Sequence, residues 1–377
     1  MAVSHRAPLV FDGHNDVLLK LHREGGRAAV GSFASGRGGH IDLPRARKGG
    51  FGGGFFAIFV PPADTQSDRH TEMNKPEYDL PLPPAIAADE AIGTVMAQAS
   101  LLLQLEASGS VRICRSVDDI RRSFADGRIA AIMHIEGAEA IDANFHALDV
   151  LYAAGLRSLG PVWSRPTIWG EGVPFRFPST GDTGGGLTAA GKQLVRRCNE
   201  KGILVDLAHM TEAGFWDVAE LSAAPLVATH SNAHALSPHS RNLTDAQLEA
   251  IAASDGMVGL NFACAFLRPD GQMRADVSLD IMLDHLDHLM KILGEDRVGL
   301  GSDFDGALVP DPIGDVAGLP ALLDAMRRHG FGEDLVAKLA HGNWLRVLEK
   351  TWGILEGRGS GEDRGSGEDR GSGEGRG

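Results

Sequence analysis

The run Leu9-Val10-Phe11-Asp12-Gly13-His14-Asn15-Asp16 carries an apolar stretch into a His-x-Asp pair. On a β-strand, residues two apart leave the same face, so His14 and Asp16 would emerge side by side at a strand's end. An imidazole and a carboxylate so placed are ligands for a divalent transition metal. Four more apolar runs end in the same manner. Ala130–Ile135 leads to Glu136, Ile203–Ala208 to His209, Pro225–Thr229 to His230 and Val298–Ser302 to Asp303. Together these side chains can hold two divalent ions, with Glu136 bridging them. Two metals about 3.5–4 Å apart polarise a carbonyl and lower the pKa of a shared water, giving hydroxide near neutral pH. Asp303 would take the proton from that hydroxide and hand it to a leaving amine, base and then acid. Mixed nitrogen and oxygen ligation suits Zn2+, with Mn2+ or Co2+ able to substitute.

Positioning these groups requires many strands that all end at one face. The chain offers eight strand candidates: Leu9–Asp12, Gly54–Val60, Ile129–Ile135, Ser158–Val162, Ile203–Leu207, Leu226–Thr229, Met257–Asn261 and Val298–Ser302. Helical patterns lie between most of them, at about Pro83–Ser108, Ala143–Ala154, Thr188–Glu200, Thr211–Leu221, Thr244–Ala253 and Leu279–Leu293, with two more near Leu319–His329 and Glu333–Glu349. Thr188, Thr211, Thr244 and Ser278 stand where N-caps belong. Near-continuous apolar strands alternating with helices predict a buried parallel sheet, and eight units favour a closed (β/α)8 TIM barrel. A dinucleotide-binding fold is disfavoured, because no G-x-G-x-x-G joins a strand to a helix. Two stretches are not barrel elements: the Pro-rich run from Pro61 to Pro84, and Trp163 to Gly186, rich in Pro, Gly and aromatics. Long loops after strands are where a barrel keeps its active site.

Composition bounds the rest. A chain of 377 residues with 43% hydrophobic content and a formal charge of −14 can bury a large core, and without a basic stripe it is not expected to bind nucleic acid. No apolar run approaches the roughly 18 residues of a membrane span, and Met1–Pro8 lacks the apolar segment of a secretory signal. Three widely spaced cysteines, Cys114, Cys198 and Cys264, suggest reduced thiols in a cytoplasmic protein. The barrel domain is expected over residues 1–356. The Arg-Gly-Ser-Gly-Glu-Asp repeat of residues 357–377 has no apolar residue to bury and reads as a disordered tail. With 15 histidines in the chain, most cannot be ligands. His134, two before Glu136, reads as a buried hydrogen-bonded histidine, His234 and His239 as surface residues. Asp206 reads as a partner of backbone or of a ligand, and Asp305 as a structural carboxylate.

The sequence resembles the renal (membrane) dipeptidases, a branch of the metal-dependent amidohydrolase-like (β/α)8 barrels. The matching runs are Asp12–Asp16, Glu136-Gly137, Val205–His209, Thr229–Ala233, Arg241-Asn242, Gly301–Gly306 and Gly342–Val347, in family order to about Glu349. The resemblance implies a binuclear zinc site, with His14, Asp16 and Glu136 on one ion and Glu136, His209 and His230 on the other. It further implies that Arg241 grips the substrate's terminal carboxylate, for which a planar guanidinium is suited, and that Asp303 is the proton shuttle. One position departs from the family. Trp163 stands where the family has a histidine that steadies the substrate carbonyl oxygen. An indole N–H donates one hydrogen bond but carries no positive charge. Trp163 is therefore expected to touch substrate and alter its choice, and Arg165 is the neighbouring cation that could offset the lost charge. Members are often dimers, although no interface signature is visible here. The expected activity is zinc-dependent hydrolysis of dipeptides, with a D-residue allowed at the C-terminal position. Two other readings stand beside it: an amidohydrolase for N-acyl amino acids, lactams or other small amides, and a metal-binding accessory protein without peptidase activity.

Overall fold

The computed structural model describes residues 8–62 and 66–359. Eight parallel strands follow one another around a barrel: β1 (Val10–Asn15), β2 (Phe51–Phe59), β3 (Ile129–Glu136), β4 (Leu156–Gly160), β5 (Leu204–Val205), β6 (Val227–Ala228), β7 (Met257–Asn261) and β8 (Val298–Gly301). The circle closes between β8 and β1, where Asp12 lies opposite Leu300. Between β5 and β6 only a single bridge, Asp206 opposite Val227, spans the gap and leaves the ring nearly closed, with the Leu207 amide donating to the Val227 carbonyl at 2.9 Å. A short strand at Val111–Ile113 pairs with the first half of β3.

Every strand residue of β1, β2 and β3 is buried, as a parallel sheet covered by helices requires. Helices run at Ala88–Ala107, His146–Ala154, Ala189–Lys201, Glu212–Leu221, Asp245–Ala253, Leu279–Leu293 and Leu319–His329. Thr188, Thr211 and Thr244 cap theirs, each hydroxyl accepting from a backbone amide three residues on. Ser278 makes no such bond; that helix is held instead by its buried face, including Met282, Leu286 and Leu289. The segment expected as one helix from Glu333 to Glu349 is broken by a π-helical turn at Lys338–Gly342, after which a helix runs from Asn343 to Gly359. The remaining repeat, residues 360–377, lies outside the described residues.

Trp344, on that last helix, is fully buried in a cluster with Phe11, Phe55, Ile132 and Met257. Its indole N–H donates to the Leu300 carbonyl at 3.0 Å. Gly13 of β1 and Gly259 of β7 must stay without side chains, since a Cβ at either would run into this ring. The indole thus packs against the strands themselves. The two long excursions meet each other in a separate two-stranded sheet: Tyr78–Asp79 pairs antiparallel with Arg176–Phe177, and the Leu80 amide donates to the Phe175 carbonyl at 2.9 Å.

Candidate metal centre

Five strands bring the predicted residues together. β1 presents His14 and, just beyond its end, Asp16. β3 ends on Glu136. His209, His230 and Asp303 follow β5, β6 and β8. Glu136 Oε1 lies 3.0 Å from His209 Nε2, 3.5 Å from His230 Nε2 and 3.6 Å from His14 Nε2. Asp16 Oδ2 is 3.3 Å from His14 Nε2. None of the three imidazoles, Asp16 or Glu136 is more than 5% exposed. Ligand atoms of Glu136, His209 and His230 form one compact group, and those of His14, Asp16 and Asp303 another.

The donor set fits divalent cations. His209 Nε2 and His230 Nε2 face each other at 3.2 Å, while burial holds both rings well below the usual imidazole pKa. Their other nitrogens are occupied: His209 Nδ1 meets Ser164 Oγ at 2.9 Å, and His230 Nδ1 meets Thr229 Oγ1 at 2.8 Å. Because Thr229 Oγ1 already gives its proton to Asp206 Oδ2, His230 Nδ1 donates to that hydroxyl and the His230 Nε2 lone pair faces the Glu136 carboxylate, an arrangement that needs a cation or a shared proton. His14 Nε2 and Asp16 Oδ1 are buried without a hydrogen-bond partner, although buried polar atoms are nearly always satisfied. His14 itself is raised to about 10, since Glu136 and Asp16 outweigh the opposing effect of burial.

Behind these candidate ligands lies a hydrogen-bonded layer that orients them, as outer partners of metal-binding histidines do. Thr229 Oγ1 donates to Asp206 Oδ2 at 2.6 Å, and its amide to Asp206 Oδ1 at 2.9 Å. Asp12 accepts from the Ser302 amide and hydroxyl at 2.6 and 2.8 Å, locking β1 to β8; burial pushes its carboxyl up to about 7. His134 is fully buried, its Nδ1 at 2.9 Å from Ser158 Oγ. Asp305 accepts from the His40 amide at 2.7 Å and pairs with Arg37.

Asp303 stands at the edge of this cluster. Asn261, which ends β7, donates to Asp303 Oδ2 at 3.1 Å. Burial, joined by the negative charge of Asp16, pushes the Asp303 carboxyl above its ordinary value. Sequence reasoning missed Asn261, although it ends an apolar run as the other site residues do. Ser164 and Thr229 were also missed, because a hydroxyl gives no sign of which ring nitrogen it will meet. Gly306 admits the close approach of Asp16 and Asp303, since a Cβ there would collide with both carboxylates.

Arg241 is 3% exposed, and its Nη2 donates to the His230 carbonyl at 3.2 Å. Burial lowers it to about 10, with Asp303 and Glu136 acting in the opposite direction. Its Nε has no hydrogen-bond partner. His239, expected at the surface, is instead fully buried and accepts from the Arg241 amide at 3.0 Å. A cleft bounded by Glu136, His209, Asp303, Trp163, Phe175 and Phe266 opens onto the cluster. The aromatic loop therefore divides. Trp163 and Phe175 face the cleft, while Trp169 is core, its N–H donating to the Ala138 carbonyl at 2.9 Å. Trp163 packs on Phe59 with ring centroids 4.9 Å apart and on His209 at 5.8 Å. Arg165 is engaged instead in a buried pair with Glu139.

A family model for membrane dipeptidases, peptidase family M19, matches residues 2–356. The chain belongs to that family. Among solved relatives, a metallo peptidase from Rhodobacter sphaeroides, liganded with a phosphinate mimic of the dipeptide L-Ala-D-Ala, is 54% identical with a TM-score of 0.90, covering 92% of this chain and 100% of the other. The dipeptidase AC, a metallo peptidase of family M19, is also 54% identical, with a TM-score of 0.89 over the same shares. An uncharacterized protein in the pqqA 5′ region of Klebsiella pneumoniae is 48% identical over 265 residues, 70% of this chain and 98% of its own length. This M19 member is a metallo-dipeptidase on a nearly closed eight-stranded parallel barrel. Among the described residues, no helix is long and apolar enough to cross a membrane.

Proposed function

We propose that this metallo-dipeptidase uses two zinc ions and cleaves dipeptides, including those with a C-terminal D-residue. One ion would be held by His14, Asp16 and Glu136, the other by Glu136, His209 and His230. The observation that carries this reading is Glu136 Oε1 standing within 3.6 Å of three imidazole nitrogens. The dipeptide mimic on the Rhodobacter sphaeroides relative supports the substrate class and the D-residue. When bound, the ions supply Lewis-acid polarisation of a carbonyl and a lowered pKa for a bound water.

The chain's own groups do the rest. Asp303, raised by burial and steadied by Asn261, accepts the proton of the attacking water and delivers it to the leaving amine. Arg241 is anchored by the His230 carbonyl and offers an unpartnered Nε; it binds the substrate's terminal carboxylate, which limits the enzyme to short substrates. Trp163, in the family's histidine position, forms an aromatic wall against one side of the substrate and cannot lend a positive charge to its carbonyl oxygen. Three buried free thiols, each pushed by burial up to about 12, support a reducing, cytoplasmic setting.

The test combines elemental analysis of the purified protein with a panel of L-Xaa-L-Xaa, L-Xaa-D-Xaa and N-acyl amino acid substrates. Two zinc equivalents and turnover of dipeptides are expected. Turnover confined to N-acyl amino acids would move the assignment to a small-amide hydrolase. Bound metal with no turnover of any of them would leave only an accessory role.

A further inference from the structure

Arg165 and Glu139 are both fully buried at the side chain, and neither belongs to the metal cluster. Arg165 donates to Glu139 Oε1 through Nε at 2.9 Å and Nη2 at 2.6 Å, and Nη2 also reaches the Val60 carbonyl at 2.7 Å. One guanidinium thereby ties the segments that follow β2, β3 and β4. A buried ion pair is a poor source of stability, because desolvation offsets the attraction. This pair is also incompletely satisfied: Arg165 Nη1 and Glu139 Oε2 are buried without hydrogen-bond partners. What it does supply is geometry.

The geometry concerns His209. Ser164, the residue before Arg165, holds His209 Nδ1 at 2.9 Å. The same loop returns to His209 at its backbone, where the Val173 amide donates to the His209 carbonyl at 2.8 Å. Glu139 is three residues past Glu136, whose Oε1 is 3.0 Å from His209 Nε2. The clamp therefore joins the segment that carries Glu136 to the loop whose Ser164 and Val173 hold His209. We infer that the Arg165–Glu139 pair is a positioning device for the metal centre: it seats the loop after β4 so that Ser164 keeps His209 turned toward Glu136. This rests on the reading of His209 as a metal ligand.

The test measures zinc affinity of the full-length enzyme by chelator competition, beside kcat and KM. The double variant Arg165→Met/Glu139→Leu removes both charges, so neither is stranded in the core. It should fold with a near-normal Tm and yet bind one zinc equivalent about 10–100-fold more weakly, the magnitude typical of lost outer-shell partners. That equivalent should be the one His209→Ala loses, and Arg165→Lys should recover part of the affinity. Wild-type affinity for both equivalents in the double variant overturns the inference. So does equal weakening of both together with a fallen Tm, which marks a merely structural pair. Should the double variant not fold, Ser164→Ala and Arg165→Lys decide: the inference stands if both weaken that equivalent and falls if both bind zinc normally. Wild-type protein that takes up no zinc defeats the metal reading itself, a result visible before any variant is made.

Discussion

Asp303 and His209 share an uncommon backbone: φ is +60° at Asp303 and +66° at His209, with Asp305 also at +66°. Residues with side chains rarely hold this left-handed region, and doing so costs about 1–3 kcal/mol each. Here it lets the chain turn sharply off a strand end while aiming a side chain at the cluster. Asparagine tolerates that conformation at least as well as aspartate, so Asp303→Asn should change the chemistry and leave the backbone in place. The variant is expected to keep its zinc and to lose about 10² or more in kcat, since general acid–base catalysis contributes about 10²–10⁴. Loss of zinc from Asp303→Asn would make Asp303 a ligand, not a shuttle. Gly306→Ala should behave differently, because its Cβ presses on Asp16 and Asp303 together. Zinc affinity and kcat are expected to fall in concert, and an unchanged zinc affinity would show that the loop simply yields. The ligand candidates were legible because each ends an apolar run. Their orienting partners were not: the roles of Ser164 and Thr229 depend on ring orientation, which only the fold determines.

At the scale of elements, periodicity revealed the eight strands and the longer helices, and missed short ones. Val17–Arg23 spans seven residues, too few turns for a 3.6-residue period to show. Val117–Asp126 has ten residues and was missed as well, although Ser116 and Asp119 form a capping box, of the kind that marks a helix start. The pairing of Tyr78–Asp79 with Arg176–Phe177 joins segments nearly a hundred residues apart, and local pattern carries no trace of such a contact. His285, on the helix Leu279–Leu293, shows how an element can stabilise a loop. Its Nδ1 accepts from the Ala233 amide at 3.2 Å and its Nε2 meets the Leu267 carbonyl at 3.0 Å. Ala233 lies three residues past His230, so the helix braces the segment that carries this candidate ligand. Burial lowers this imidazole to about 4, with the Leu267 carbonyl opposing. Below its ordinary pKa near 6.5 the unfolded chain takes up a proton that the folded chain refuses. Stability is therefore complete above pH 6.5 and declines as pH falls toward 4, by on the order of 3 kcal/mol from this group. Urea midpoints should fall over that window more steeply in wild type than in His285→Gln. Parallel profiles would show that His285 is not the group responsible.

The whole molecule sets an apolar interior against a charged one. Trp344, Phe55 and Met257 share one buried cluster, whereas Asp16, Glu136 and three imidazoles occupy the ligand end with almost no access to solvent. Burial pushes Glu136 and Asp303 up, and each is opposed by His14 and Arg241. Gathering these carboxylates in one place disfavours the folded chain unless positive charge is bound with them. Zinc bound as proposed, by the native state alone, would stabilise it by mass action, by about 4 kcal/mol when free metal exceeds Kd a thousandfold. For a domain of this size that corresponds to a Tm shift of roughly 5–10 °C. Stripping the metal with a chelator should lower Tm by that amount, and stoichiometric zinc should restore it. The gap should also narrow as pH falls, because protons compete for the same nitrogen and oxygen atoms. Calorimetry of stripped and reloaded protein, each with its zinc content measured, checks both the size and the pH trend. Equal Tm values for samples whose zinc content differs by two equivalents would mean that the cluster is built to tolerate its own charge, and the case for paired cations at Glu136 would lose its energetic basis.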